Sequence, residues 1–118
     1  MSGVGIDVVD VARFEDVLAR RPSVATRLFT EAERRDARDV PQRLAARFAA
    51  KEAWLKSVRA GVGAAPWRDI EVVRGADGAP SLQLGPRATS LAQRAGVESF
   101  DVSLTHSAMT AAAVVVAH

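Results

Sequence analysis

Cysteine and tyrosine are both absent from the 118-residue sequence, and aromatic residues make up only 5% of it. Without cysteine there is no disulfide, no thiolate nucleophile and no cysteine-ligated zinc. So few aromatics make poor material for the stacking platforms that hold single-stranded nucleic acid. Long apolar runs are missing as well. The longest, Ala111 to Ala117, falls far short of the ~18–20 residues that cross a bilayer. The N-terminus lacks the basic-then-apolar layout of a secretory signal. The expected setting is therefore cytoplasmic, with no membrane partner. No Walker motif, GxGxxG fingerprint, metalloprotease helix or GxSxG elbow occurs.

The composition that remains is that of a soluble globular protein, 48% hydrophobic and 25% charged. Its length fits one domain, residues 1–118, with a core of modest size. Net charge is only +2, yet the pI is about 9.9, because nearly all the base is arginine. The arginines are spread along the chain with acids between them. That pattern does not make a nucleic-acid stripe; an acidic protein partner or a phosphorylated small molecule accounts for the basicity equally well. Lysine occurs only at Lys51 and Lys56, on either side of Glu52. Such clustering suggests a place where an ammonium is wanted; chance is the plain account.

The pattern of elements is mixed. Val4 to Val9 is β-branched apart from Gly5 and Asp7 and predicts a buried strand. Asp10 then caps a helix with Val11, Phe14, Val17 and Leu18 inward, and Pro22 and Ser23 interrupt it. Thr30-Glu31-Ala32-Glu33 has the capping-box form and predicts an arginine-rich helix to about Asp39. Pro41 opens the longest helix, Gln42 to about Ala60, with Gly61 placed to stop it. Ile70–Val73 and Ser81–Leu84 flank a hairpin signal at 75–78. A short helix from Pro86 to Ala95 is closed by Gly96, and strands follow at Phe100–His106 and Ala111–Ala117. The order β-α-α-α-β-β-α-β-β lacks regular βαβ alternation, which favours an α+β fold: a mixed or antiparallel sheet packed on a long helix.

Several residues stand out against this pattern. Asp7 interrupts an apolar strand, where a carboxylate must be paired, hydrogen-bonded or metal-bound; capping of local amides would also explain it. Glu52 shares a helical stripe with Leu44, Phe48 and Leu55. An i,i+4 pair with Lys56 is the plain account. An inward carboxylate facing a second one on a neighbouring strand would instead suit Mg²⁺ and a substrate phosphate. His106 ends the apolar parity of Phe100, Val102 and Leu104, while Ser103, Thr105 and Ser107 give the other parity a hydroxyl-rich end. Gly63, two residues past Gly61, leaves room for a ligand to approach.

Taken together, Gly5-Ile6-Asp7-Val8-Val9, Phe29-Thr30-Glu31-Ala32-Glu33, Arg47-Phe48-Ala49-Ala50-Lys51-Glu52-Ala53 and Ser103-Leu104-Thr105-His106-Ser107 resemble the motifs of the holo-acyl carrier protein synthase family of 4′-phosphopantetheinyl transferases. The likeness covers essentially the whole chain and fits the short, self-contained branch of that family. It implies a transfer of phosphopantetheine from coenzyme A to a serine of apo-acyl carrier protein, with release of 3′,5′-ADP, in fatty acid biosynthesis. By the same resemblance Asp7 and Glu52 bind Mg²⁺, and Lys56 faces the phosphates. Arg47, Lys51, Gly63, His106 and Ser107 belong with Lys56 to the coenzyme A site. Glu52 and Lys56 are the implied catalytic pair, Glu52 taking the serine proton directly or through water on the metal. Arg13, where the family has a basic docking residue, and Arg20 on the same helix face would meet an acidic carrier; a solvated face is the other account of Arg20. The resemblance further implies a homotrimer with active sites between subunits. Thr30 and Glu33 are explained by helix capping and carry no chemistry here. The same reaction on a carrier domain embedded in a type I fatty-acid or polyketide synthase, and a nucleotide-binding trimer without turnover, are the alternatives.

Overall fold

The computed structural model describes residues 2–118. Strand β1 (Gly3–Asp10) hands over to helix α1 (Val11–Arg20) through Asp10, whose carboxylate accepts from the Ala12 amide. Pro22 does not open a loop. It leads instead into a second short helix, α2 (Ser23–Leu28), so the order is β-α-α-α-α-β-β-α-β-β. Proline sits there with helical φ and ψ, and Val24 and Leu28, one turn apart, are both buried. Helix α3 (Glu31–Ala37) carries the complete capping box: Thr30 accepts from the Glu33 amide and Glu33 from the Thr30 amide.

Helix α4 (Pro41–Ser57) ends sooner than its sequence suggests. Arg59 takes the left-handed conformation (φ 58°), and the Ala60 amide bonds back to the Leu55 carbonyl. The chain therefore turns two residues before Gly61, with a non-glycine residue where glycine is usual. A 3₁₀ turn (Trp67–Asp69) precedes the hairpin of β2 (Ile70–Arg74) and β3 (Pro80–Leu84), followed by α5 (Pro86–Arg94), β4 (Phe100–His106) and β5 (Thr110–Ala117).

Both sheets are antiparallel: a three-stranded one in the order β1-β5-β4, and the β2-β3 ribbon. Helix α4 lies across the first sheet with Ala49, Ala50, Ala53 and Trp54 buried beneath it. Its close approach depends on Gly5. A Cβ there would collide with the carbonyl oxygen of Ala53, so only glycine lets helix and strand backbones meet. That contact sets Asp7, two residues on along the same face of β1, against the later turns of α4. The opposite face of β1 is bare: Val4, Ile6 and Val8 are 65%, 63% and 65% exposed. They continue across the register into Val116 and Val114 of β5.

Candidate active site

Two acidic residues of unrelated origin converge on one point. Asp7 comes from the inner face of β1, and its side chain is only 11% exposed. Its Oδ1 accepts from the Lys56 ammonium at 3.3 Å, and the same ammonium donates to the Ile6 carbonyl at 2.9 Å. Its Oδ2 is buried, with no hydrogen-bond partner among the described residues while Glu52 is ionised. Glu52, one turn before Lys56 on α4, is half-buried. Its carboxyl is pushed up to about 7, first by burial, then by the hydrogen bond its protonated form makes to Asp7 and by the Asp7 charge, with Lys56 pulling the other way. The i,i+4 pair expected between Glu52 and Lys56 is absent within 4.0 Å among the described residues; Lys56 reaches across to β1 instead. Close packing of α4 on Gly5 brings the strand carbonyl and Asp7 within range of that lysine.

An orphaned buried carboxylate oxygen facing a second carboxylate is what a hard divalent cation would satisfy. Magnesium takes one or two protein carboxylates and keeps its other positions for water and phosphate. The residues present therefore fit Mg²⁺, with Asp7 Oδ2 and Glu52 as its donors. No group of three or more potential ligands exists among the described residues, so the protein alone would leave several coordination positions free.

A second feature is basic. Between α4, the β2-β3 ribbon and the end of β4 runs a groove of about 320 Å³ lined by the guanidinium groups of Arg43, Arg47 and Arg74 and by the His106 imidazole. Arg47 forms its floor and is 8% exposed. Its guanidinium donates to the Arg43 carbonyl at 3.3 Å, while its Nε has no partner. Burial lowers its pKa, with the Glu33 and Asp36 carboxylates acting against that. Arg43 lies one turn before Arg47, so helical spacing alone could have suggested it. Arg74 arrives through the hairpin register, opposite Pro80, a long-range pairing with no local signal.

Lys51 lines neither place. It is fully buried, and its ammonium donates to Glu33 Oε1 (2.8 Å), the Trp67 carbonyl (3.0 Å) and the Ile70 carbonyl (2.7 Å). All three donors are consumed, so none is left for a phosphate. Glu33, besides capping α3, accepts from the Val72 amide at 2.9 Å and is fully buried as well. The hydroxyl of Ser107 closes the β4-β5 turn, accepting from the amides of Met109 and Thr110. Gly63 sits in an exposed loop with φ 93° and open space where a side chain would go.

Of the residues expected to dock a carrier, Arg20 pairs with Asp16 at 3.2 Å, both well exposed, and Arg13 stands exposed on the same helix. Below α1 the chain forms an apolar trough of about 540 Å³, floored by Phe14, Phe48 and Trp67 and rimmed by Arg20, Arg21 and Arg27. Its floor is a run of ring contacts, Phe14 on Phe48 at 5.4 Å and Phe48 on Trp67 at 5.1 Å. Sequence reading passed over Arg27 because α2 was not expected.

Comparison with known proteins places the chain in a family. The 4′-phosphopantetheinyl transferase superfamily matches residues 3–114. A holo-[acyl-carrier-protein] synthase of Frankia casuarinae is 53% identical over 98% of this chain and 95% of its own length. Another from Clavibacter sepedonicus is 48% identical over 97% and 92%. Among solved structures, the Helicobacter pylori holo-[acyl-carrier-protein] synthase in complex with coenzyme A superposes with a TM-score of 0.88, at 29% identity, covering 98% of this chain and 99% of that one. The synthase of Mycobacterium tuberculosis gives 0.75 at 38% identity, covering 98% and 96%. The chain belongs to the 4′-phosphopantetheinyl transferase superfamily and is a transferase of the holo-[acyl-carrier-protein] synthase family.

Proposed function

We propose that this protein transfers 4′-phosphopantetheine from coenzyme A to a serine of apo-acyl carrier protein, releasing 3′,5′-ADP, as the pantetheinylation step of fatty acid biosynthesis. The observation that carries the reading is the Asp7–Glu52–Lys56 cluster, with one carboxylate oxygen buried and unpartnered. In the reaction the serine Oγ forms a bond to the phosphorus bearing pantetheine, and the phosphoanhydride bond to 3′,5′-ADP breaks. Such a transfer needs positioning and charge neutralisation more than covalent help. Mg²⁺ held by Asp7 and Glu52 would supply Lewis-acid stabilisation of the diphosphate. Glu52 takes the serine proton, directly or through a water. Lys56 moves its charge from Asp7 to the leaving phosphate. Arg47, Arg43, Arg74 and His106 receive another anionic part of coenzyme A.

One protomer does not present these parts on one face. Arg47 and Glu52 are five residues apart on α4, about 140° around a helix at 100° per residue. The bare apolar strip Val4, Ile6 and Val8 is of the kind that marks a subunit interface. Both observations support a homotrimer in which the groove of one copy completes the carboxylate site of the next. The arginine rim around the apolar trough suits an acidic amphipathic surface on the carrier.

The test is the intact mass of apo-acyl carrier protein after incubation with this chain, coenzyme A and Mg²⁺. A gain of one phosphopantetheine, abolished by EDTA and by Glu52→Gln, is the expected result. No gain on discrete carriers would direct the search to carrier domains of large synthases; binding of 3′,5′-ADP with no transfer to either would leave a non-catalytic trimer.

A further inference from the structure

Glu33 and Lys51 make the one fully buried ion pair among the described residues, and the reaction as written uses neither. Every polar atom of the pair is satisfied. The ammonium has three acceptors, and the carboxylate also accepts from the amides of Thr30 and Val72. Stability alone is a weak reason for such a pair, since apolar residues of similar volume often serve as well or better. Its surroundings suggest another. Arg47 lies one turn before Lys51, buried at the floor of the basic groove, with its Nε unpartnered. No carboxylate lines that groove. Of the acids around Arg47, Glu33 acts most strongly to favour its charge. Glu33 also sits on the Val72 amide, and Val72 is part of the groove wall. A carboxylate in reach of a buried guanidinium would pair with it, occupying its donors and cancelling its charge.

We infer that Lys51 is a positioning residue that holds Glu33 away from Arg47, so that the Arg47 guanidinium faces the groove without a carboxylate partner and is free to bind an anionic group of the coenzyme. The inference deepens the proposed function and rests on its reading of the groove. It explains why a lysine with no access to solvent stands in the same helical segment as the reactive residues. Lys51 acts by occupying the acid, not by touching the substrate.

The test is binding of 3′,5′-ADP by calorimetry, with Mn²⁺ affinity measured alongside and folding checked by circular dichroism. Lys51→Met leaves Glu33 with only the Thr30 and Val72 amides and no cation partner, so its charge turns to Arg47 and affinity for 3′,5′-ADP should fall about tenfold or more, the scale of one lost charge-assisted hydrogen bond. Mn²⁺ affinity should hold, because Asp7 and Glu52 are untouched. The double variant Glu33→Gln with Lys51→Met removes the competing carboxylate and should recover most of the loss. A merely structural pair would give no such recovery of ligand affinity in proteins that are equally folded. An unchanged affinity in Lys51→Met, or a double variant as weak as the single, overturns the inference. If Lys51→Met does not fold, Lys51→Gln, which keeps a donor for Glu33 but removes the charge, takes its place: a tenfold loss that adding Glu33→Gln recovers supports the inference, and unchanged affinity or no recovery overturns it. Absence of 3′,5′-ADP binding by the parent chain would remove the groove reading itself and the inference with it, while transfer measured by intact mass would still stand or fall separately.

Discussion

Asp7 carries two different loads on its two oxygens. One is bonded by Lys56, and the other is buried and meets no donor among the described residues while Glu52 is ionised. Leaving a polar atom unsatisfied in this way costs ~1–3 kcal/mol, a cost that a bound cation would relieve. The same crowding makes Glu52 sensitive to pH in the metal-free chain. Its folded-state pKa of about 7 lies above the ordinary 4.5, so the folded chain holds this proton more tightly than the unfolded one. The stability it contributes is present below about pH 4.5 and is lost as pH rises through about 7. Carboxyl NMR of the metal-free protein should show Glu52 titrating near neutrality, and added Mg²⁺ should move that titration down. Thermal melts between those pH values should slope less in Glu52→Gln than in the parent.

Elements meet here through backbone contact as much as through side chains. β1 and α4 approach so closely because Gly5 presents no Cβ to the Ala53 carbonyl. Gly5→Val should push the helix off the strand, with a loss on the order of 2–3 kcal/mol or more from overpacking. That corresponds to a fall in melting temperature of roughly 10 °C. Separation of Asp7 from Glu52 would lower Mn²⁺ affinity too, and a variant that melts early yet binds Mn²⁺ like the parent would count against this geometry. The capping box of α3 shows the other limit of an element-scale reading. Thr30 and Glu33 do cap the helix, but Glu33 also bonds Lys51 and β2. Local sequence showed the first role and concealed the second, because both partners lie well along the chain.

At the scale of the whole molecule, charge and apolar surface are arranged for association. The strip Val4, Ile6, Val8 and Val116 is exposed on a strand face that has no partner within the chain. Ile6→Asp should break the proposed trimer, read as a lower mass in light scattering, and abolish transfer without displacing Asp7, whose side chain points to the other face. Arg13→Glu should raise the KM for the carrier severalfold at low salt and much less at high salt, since exposed charges mainly steer encounter and are screened within ~10 Å at 0.1 M. An unchanged dependence on carrier concentration would remove Arg13 from the docking surface.

Sequence alone determined the class of fold, the strands and the longer helices, and the identity of Asp7, Glu52 and Lys56 as anomalies. Those features rest on local periodicity, capping residues and polar atoms out of place in apolar patterns, all of which are written in short stretches. Even there the boundaries moved where a non-glycine residue accepted the left-handed conformation, as Arg59 did before Gly61. Only tertiary structure decided which charges meet. Lys56 pairs with Asp7 across 49 residues rather than with Glu52 one turn away, and Lys51 faces inward to Glu33 while its neighbour Glu52 faces the site. Helical geometry sends adjacent residues to faces about 100° apart. Which face is core and which is site depends on the partner that packs there, and no local stretch of sequence contains that partner.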